Sequence, residues 1–198
     1  MDINSATWQV AVESAGIWPS RVVLGPHQNL YVLCYHRSDN SERILTALGT
    51  TCIFADVESL EAFINGPHTG VPVEVHLALE VLSSLSPEGL APEHFPRNLV
   101  EQSLFWIAGG RNLASEDQIQ HLLDTLAFLN DWHESLEEEG MPGPWPEDLD
   151  DAAELLTDVV VTHEITTLEV AERLSVKNLR PVLTQEVARL LNWSSKLA

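Results

Sequence analysis

Basic residues are scarce in this chain. Ten lysines and arginines stand against thirty aspartates and glutamates, a formal net charge of −20 over 198 residues. Such an imbalance repels polyanions, nucleic acid and anionic membrane surfaces among them, and speeds encounter with a positively charged protein. Cysteine is almost missing: only Cys34 and Cys52 occur, both on strand-like stretches. A reduced, buried thiol is the common case there, and a disulfide between them requires favourable geometry. Long apolar runs are missing as well. Val159-Val160-Val161 and Val22-Val23-Leu24 fall far short of the roughly 20 residues that a bilayer demands. The opening Met1-Asp2-Ile3-Asn4 lacks the basic start of a secretory leader. A cytoplasmic chain with no membrane partner is the expectation.

Catalytic signatures are absent in turn. No GxxxxGK[ST] or GxGxxG cradles phosphate, no GxSxG presents a nucleophile, and no HExxH is present, which removes the commonest nucleotide, acyl-transfer and metalloprotease chemistries. His27, His36, His68, His76, His94, His121, His133 and His163 stand singly, whereas zinc sites space their ligands in close pairs. Aligned to a calcium loop, Asp131 to Pro142 places Leu136 at the glycine position and Pro142 at the bidentate glutamate position, so it is not an EF-hand. Asp148 and Asp151 share one helix side, where adjacent carboxylates ordinarily mark a solvated face. No catalytic residue, cofactor or metal site is expected, and the protein is not read as an enzyme.

What the chain does have is a core. Its residues are 44% apolar with mean hydropathy near zero, enough for a folded protein of this length. Residues 1–70 read as a small α+β unit. Ser5 caps a helix bearing Trp8, Val12 and Ala15; RVVL (21–24) and LYVLCYHR (30–37) flank the turn-rich GPHQN; ERILTAL and TTCIFA supply two further strand-like runs; Asp56 caps VESLEAFIN before Gly66. The order is α-β-β-β-β-α. From Val73 the apolar period becomes helical: 73–85, 98–108, and 115–138 with Ile119, Leu122, Leu123, Leu126, Leu129 and Leu136 on one stripe. Ser115 with Gln118, and Thr166 with Glu169, are spaced as capping boxes. The proline-rich loop 141–147 precedes EDLDDAAELLTDVVV, and two further helices end the chain. The fold class is therefore α+β: a small antiparallel sheet with helices at the N-terminus, then an all-helical bundle over 71–198 packed with it as one body.

The acids are concentrated in the middle. No base occurs between Arg111 and Arg173, an interval with 17 acids, while five of the ten bases fall after Glu172. The basic tail helices are expected to pack against this acidic middle. Residues 131–154 combine the highest acid density with two tryptophans and a proline-stiffened loop. Acid rims around aromatic anchors suit a basic protein partner, so the partner-binding surface is placed on Trp132, Glu134, Glu137, Glu138, Glu139, Trp145, Asp148, Asp150, Asp151 and Glu154. Trp145, between Pro144 and Pro146, fits two readings: an exposed anchor, or a plug between two helices.

Two stretches carry resemblances. TLEVAERLSVKNLR (167–180) resembles the helix-turn-helix of small regulators related to the MerR and excisionase families, through Ala171, Ser175 and Val176; it departs at Ser175, where glycine is usual, and at Pro181 in the second helix. This alternative makes the chain a DNA-binding regulator, against the repulsion of its net charge. ILTALGTTCIFADVESLEAFI (44–64), in a compact acidic α+β chain, is similar to bacterial immunity proteins of polymorphic or contact-dependent toxin systems. That resemblance implies inhibition by binding: an acidic surface covers the basic cleft of a cognate nuclease-type toxin, or acts as a nucleic-acid mimic on a DNA-binding protein.

Overall fold

The computed structural model describes residues 15–25, 28–48, 50–84, 97–98, 100–107, 115–141, 143–162, 166–177 and 179–195. The helix expected around Trp8 and Val12 lies outside the described residues. Strands β1 (Ile17–Gly25) and β2 (Gln28–His36) form the expected hairpin, antiparallel, with Trp18 opposite Cys34 and Ser20 opposite Val32. On the other edge of β2 lie β3 (Glu42–Ile44) and β6 (Ile53–Phe54), both antiparallel to it. Between them β4 (Thr46–Ala47) and β5 (Thr50–Thr51) form a separate two-stranded ribbon. Cys34 and Cys52 are both free thiols.

The sheet is mixed rather than antiparallel. β7 (Arg97–Asn98) pairs with β1 in parallel, Arg21 beside Arg97 and Val22 beside Asn98. This short strand comes from the part of the chain expected to be all helical. Physically, it covers backbone groups along the edge of β1 that would otherwise stand open, and Asn98 Nδ2 donates to Ser20 Oγ at 2.8 Å to hold it there.

Helices cover both faces of β2, which explains why LYVLCY is a continuous apolar run rather than an alternation. Tyr31, Leu33 and Tyr35 point to one cluster, completed by Leu60 and Ile64 of α1 (Val57–Ile64) and Leu79 and Leu82 of α2 (His76–Ser84). Val32 and Cys34 point to the other. That second, larger cluster is filled by α4 (Glu116–Glu138), α5 (Glu147–Thr157), α6 (Thr167–Lys177) and α7 (Arg180–Ser195), and α3 (Val100–Ile107) adds Val100.

The expected caps are in place. Asp56 Oδ1 accepts from the Ser59 amide at 2.8 Å, and these hydrogen bonds hold its carboxyl below the usual range. Ser115 Oγ accepts from the Gln118 amide at 3.3 Å. At α6 the box is reciprocal: Thr166 N donates to Glu169 Oε2 at 2.8 Å and Glu169 N to Thr166 Oγ1 at 3.3 Å. Two helices deviate from their expected forms. The first residues of 73–85, Val73–Val75, form a 3-10 turn before α2, and the run expected to continue α5 widens into a π turn at Asp158–Thr162. Three consecutive valines there crowd the preceding turn and weaken the α-helical preference.

Candidate functional site

α4 lies against the sheet with Ile119, Leu122, Leu126, Leu129 and Leu136 buried as the stripe required, while Leu123 is half-buried. Trp132 belongs to that same buried face and is fully enclosed. Its Nε1 donates to Thr51 Oγ1 at 3.1 Å and to Ser194 Oγ at 3.3 Å, which joins the β4–β5 ribbon to α7. The placement of Trp132 on a partner-binding surface is therefore corrected: the indole is core, and both of its needs, apolar contact and a hydrogen-bond acceptor, are met inside the molecule.

The acids of the run divide by helix. Toward the end of α4, Glu134 meets Arg43 of β3 at 2.8 Å, and Glu138 meets Arg37 at 2.6 Å and Arg43 at 3.5 Å. Glu139, at the C-cap of α4, accepts from Thr46 Oγ1 at 2.9 Å. The Ile44 amide donates to Ser135 Oγ at 2.9 Å between them. Countercharge for the acid run thus comes from the N-terminal sheet. The tail helices pack against this region as expected, α7 on α4 and α5 and α6 on α5, and Arg189 Nη2 donates to the Pro144 carbonyl at 3.2 Å. Glu137 is exposed on the outer side of α4.

α5 is built differently. Leu149, Ala152 and Leu156 face the core at a spacing of three and four, which leaves Glu147, Asp148, Asp150, Asp151 and Glu154 exposed. Pro146 starts the helix without a side-chain cap, and Glu147, Asp148 and Asp150 occupy the first turn, where negative charge complements the helix dipole. Among the sequence-expected site residues, the structure brings Asp148, Asp150, Asp151 and Glu154 together on one solvent-facing helix.

Trp145 is half-buried and sits as a plug. Its ring stands edge-on to His133, with centroids 5.6 Å apart at 74°, and it packs on the larger core cluster. Beneath it is a buried polar group that the sequence did not suggest. Glu186, 3% exposed, takes contacts at 2.8 Å from His133 Nδ1 and from Arg189 Nη2, and Arg189 Nη2 also lies 2.8 Å from His133 Nδ1. The cluster ties α4 to α7, and removing any one member would strand the charge or dipole of the others.

A second feature lies on the opposite flank of α4. A cleft of about 390 Å³ opens between that helix and the sheet, lined by Trp18, Cys34, Glu42, His121, Asp124, Phe128 and Asp131, with Arg97 and Asn98 from β7. Burial pushes the Asp131 carboxyl up to about 7, helped by the charges of Glu42 and Glu134 and opposed by Arg43. Burial also raises the Cys34 thiol far above its ordinary value, so it is inert as a nucleophile. The sequence carries one signal of this cleft. His121, Asp124, Phe128 and Asp131 recur at three- and four-residue spacing beside the apolar stripe, so they share a flank of α4.

Among the described residues no group of three histidine, cysteine or acidic side chains is placed to hold a metal ion, and no described helix is long and apolar enough to cross a membrane. The turn expected at Ser175 is replaced by continuous helix, since α6 runs to Lys177, and Pro181 stands in the first turn of α7, where its missing N–H costs nothing. No family model, curated protein or solved structure matches the chain.

Proposed function

We propose that the protein acts by binding, as an acidic inhibitor that occupies a basic protein partner, in the manner of an immunity protein that blocks a cognate nuclease-type toxin. The observation that carries this reading is the outer face of α5, where Asp148, Asp150, Asp151 and Glu154 stand together in solvent within an interval of the chain that holds no base. Of the α4 acids, Glu134 and Glu138 are already paired with Arg43 and Arg37 and Glu139 takes the Thr46 hydroxyl, although Glu138 and Glu139 stay exposed, so the surface centres on α5 and exposed Glu137, with Trp145 at its edge. Such a face supplies fast, salt-sensitive encounter with a basic cleft. The same charge supports the nucleic-acid-mimic version of inhibition.

Against the alternative of a DNA-binding regulator stand the net charge of −20 and the course of α6, which continues through the position where a helix-turn-helix turns. Capture from the native cells at low salt, with mass spectrometry of what is retained, separates the readings. The expected result is a basic protein lost both at raised salt and from the variant Asp148→Lys, Asp150→Lys, Glu154→Lys. Retention of the same proteins by wild type and variant would overturn the reading, and salt-sensitive retention of DNA would establish the alternative.

A further inference from the structure

We propose that the cleft between α4 and the sheet binds a small organic cation, an alkyl ammonium or guanidinium group, with its charge at Glu42 and Asp131 and its hydrocarbon against Trp18 and Phe128. The cleft shares no residue with the α5 face, so either reading can fail alone.

The volume, about 390 Å³, lies within the range of about 300–1,000 Å³ that small-molecule sites occupy. Its make-up is that of such a site: two aromatic side chains, a buried floor at Cys34 and Ser20, and a few polar groups around them. Distances along α4 set its length. His121 and Asp131 lie ten residues apart on one helix, about 15 Å, so the two mark opposite ends.

The Asp131 end calls for positive charge. Among the described residues the Asp131 carboxyl has no hydrogen bond or ion pair, although it is half-buried and faces Glu42 across the cleft and Glu134 along its own helix. Arg43, whose charge acts on Asp131, is turned to Glu134 at 2.8 Å and Glu138 at 3.5 Å. Among the described residues the Glu42 carboxylate is met by His36, at 3.3 Å. Of the remaining charged groups lining the cleft, Asp124 accepts from Gln120 at 2.6 Å, His121 Nδ1 lies 2.6 Å from the Asp117 carbonyl, and Arg97 comes from β7. A desolvated carboxyl beside a second carboxylate is costly to ionise alone, and an entering cation removes that cost. Ring faces and hydrocarbon walls favour an organic cation, which gains from them, over a metal ion, which requires several oxygens.

Because a cation binds the ionised carboxylate, affinity and proton release are linked. Isothermal titration with agmatine, and with N-butylurea as the uncharged analogue, should show agmatine alone binding. Affinity should rise about tenfold or more between pH 5.5 and pH 8, with proton release on binding near pH 7. Asp131→Asn should weaken agmatine about tenfold and abolish the pH dependence, and Glu42→Gln should weaken it while retaining the pH dependence. The folded chain holds the Asp131 proton to higher pH than the unfolded chain does. Thermal stability of the wild type should therefore fall as pH rises from about 4 to about 7, and Asp131→Asn should flatten that fall, which confirms that the variant is folded. The blocked peptide acetyl-Gly-Arg-Gly-amide distinguishes the source of the cation: equal or tighter binding than agmatine assigns a protein side chain, weaker binding a free amine. The proposal is overturned if agmatine and N-butylurea behave alike at both pH values, or if Asp131→Asn leaves agmatine binding and its pH dependence unchanged.

Discussion

The two helices that share the acid run differ in what surrounds their charge. On α4, Glu134 and Glu138 meet arginines from the sheet, and Glu139 at the helix end takes a hydroxyl from it. On α5, Asp148, Asp150, Asp151 and Glu154 face solvent. The stretches look alike in composition, yet the first helps fasten a helix to a sheet, whereas the second lines the solvent side of its helix. Charge density along a sequence therefore says little about function until the source of countercharge is known. Here that source lies far away in the chain: Arg37 and Glu138 are 101 residues apart.

The sharpest test of the contrast is in the core beneath it. Trp132→Ala empties a fully buried site and strands Thr51 and Ser194, so denaturant unfolding should show a loss of about 3–5 kcal/mol. Trp145→Ala, at the half-buried rim, should lose less than half as much; equal losses would mean that the loop is as structural as the helix. A smaller effect is expected one layer out. Arg43→Ala removes the arginine that both Glu134 and Glu138 contact, at a side chain only 12% exposed, and should lower the unfolding free energy by about 1–2 kcal/mol. An unchanged midpoint would dissolve the distinction between the two helices from the α4 side. The smallest effect belongs to α5. Reversing Asp150 and Glu154 to lysine together should shift stability by less than about 0.5 kcal/mol, and a larger loss would show that the α5 acids are also structural.

Much of the architecture was legible because local physics dictates it. Asp56, Ser115 and the Thr166–Glu169 box cap helices by contacts three residues away, and the α4 stripe follows from helical period alone. The site was less legible for the opposite reason. Trp132 and Trp145 stand beside the acid run in sequence, but their environments are set by Thr51, Ser194 and His133, which no short window contains. The parallel strand β7 was invisible since two residues carry no periodicity, and its place is given by β1, some 76 residues earlier in register, Arg21 beside Arg97. The cleft residues Glu42 and Asp131 belong to a strand and a helix that meet only after the chain has returned on itself. Their shared consequence, a carboxyl pushed up to about 7, requires three-dimensional burial to exist at all.

The hydrogen bond from the Ile44 amide to Ser135 Oγ joins groups 91 residues apart, and it sets an order of events during synthesis. Until α4 has been made, Val32 and Cys34 on one side of β2 lack most of the cluster they belong to. The nascent hairpin therefore waits with much of one apolar side uncovered, and closing so wide a loop precedes any reward from the contacts it permits. Docking of α4 onto the sheet is then expected late in folding. A ribosome-stalled chain ending before that helix should bind chaperones or hydrophobic dyes that the finished protein ignores.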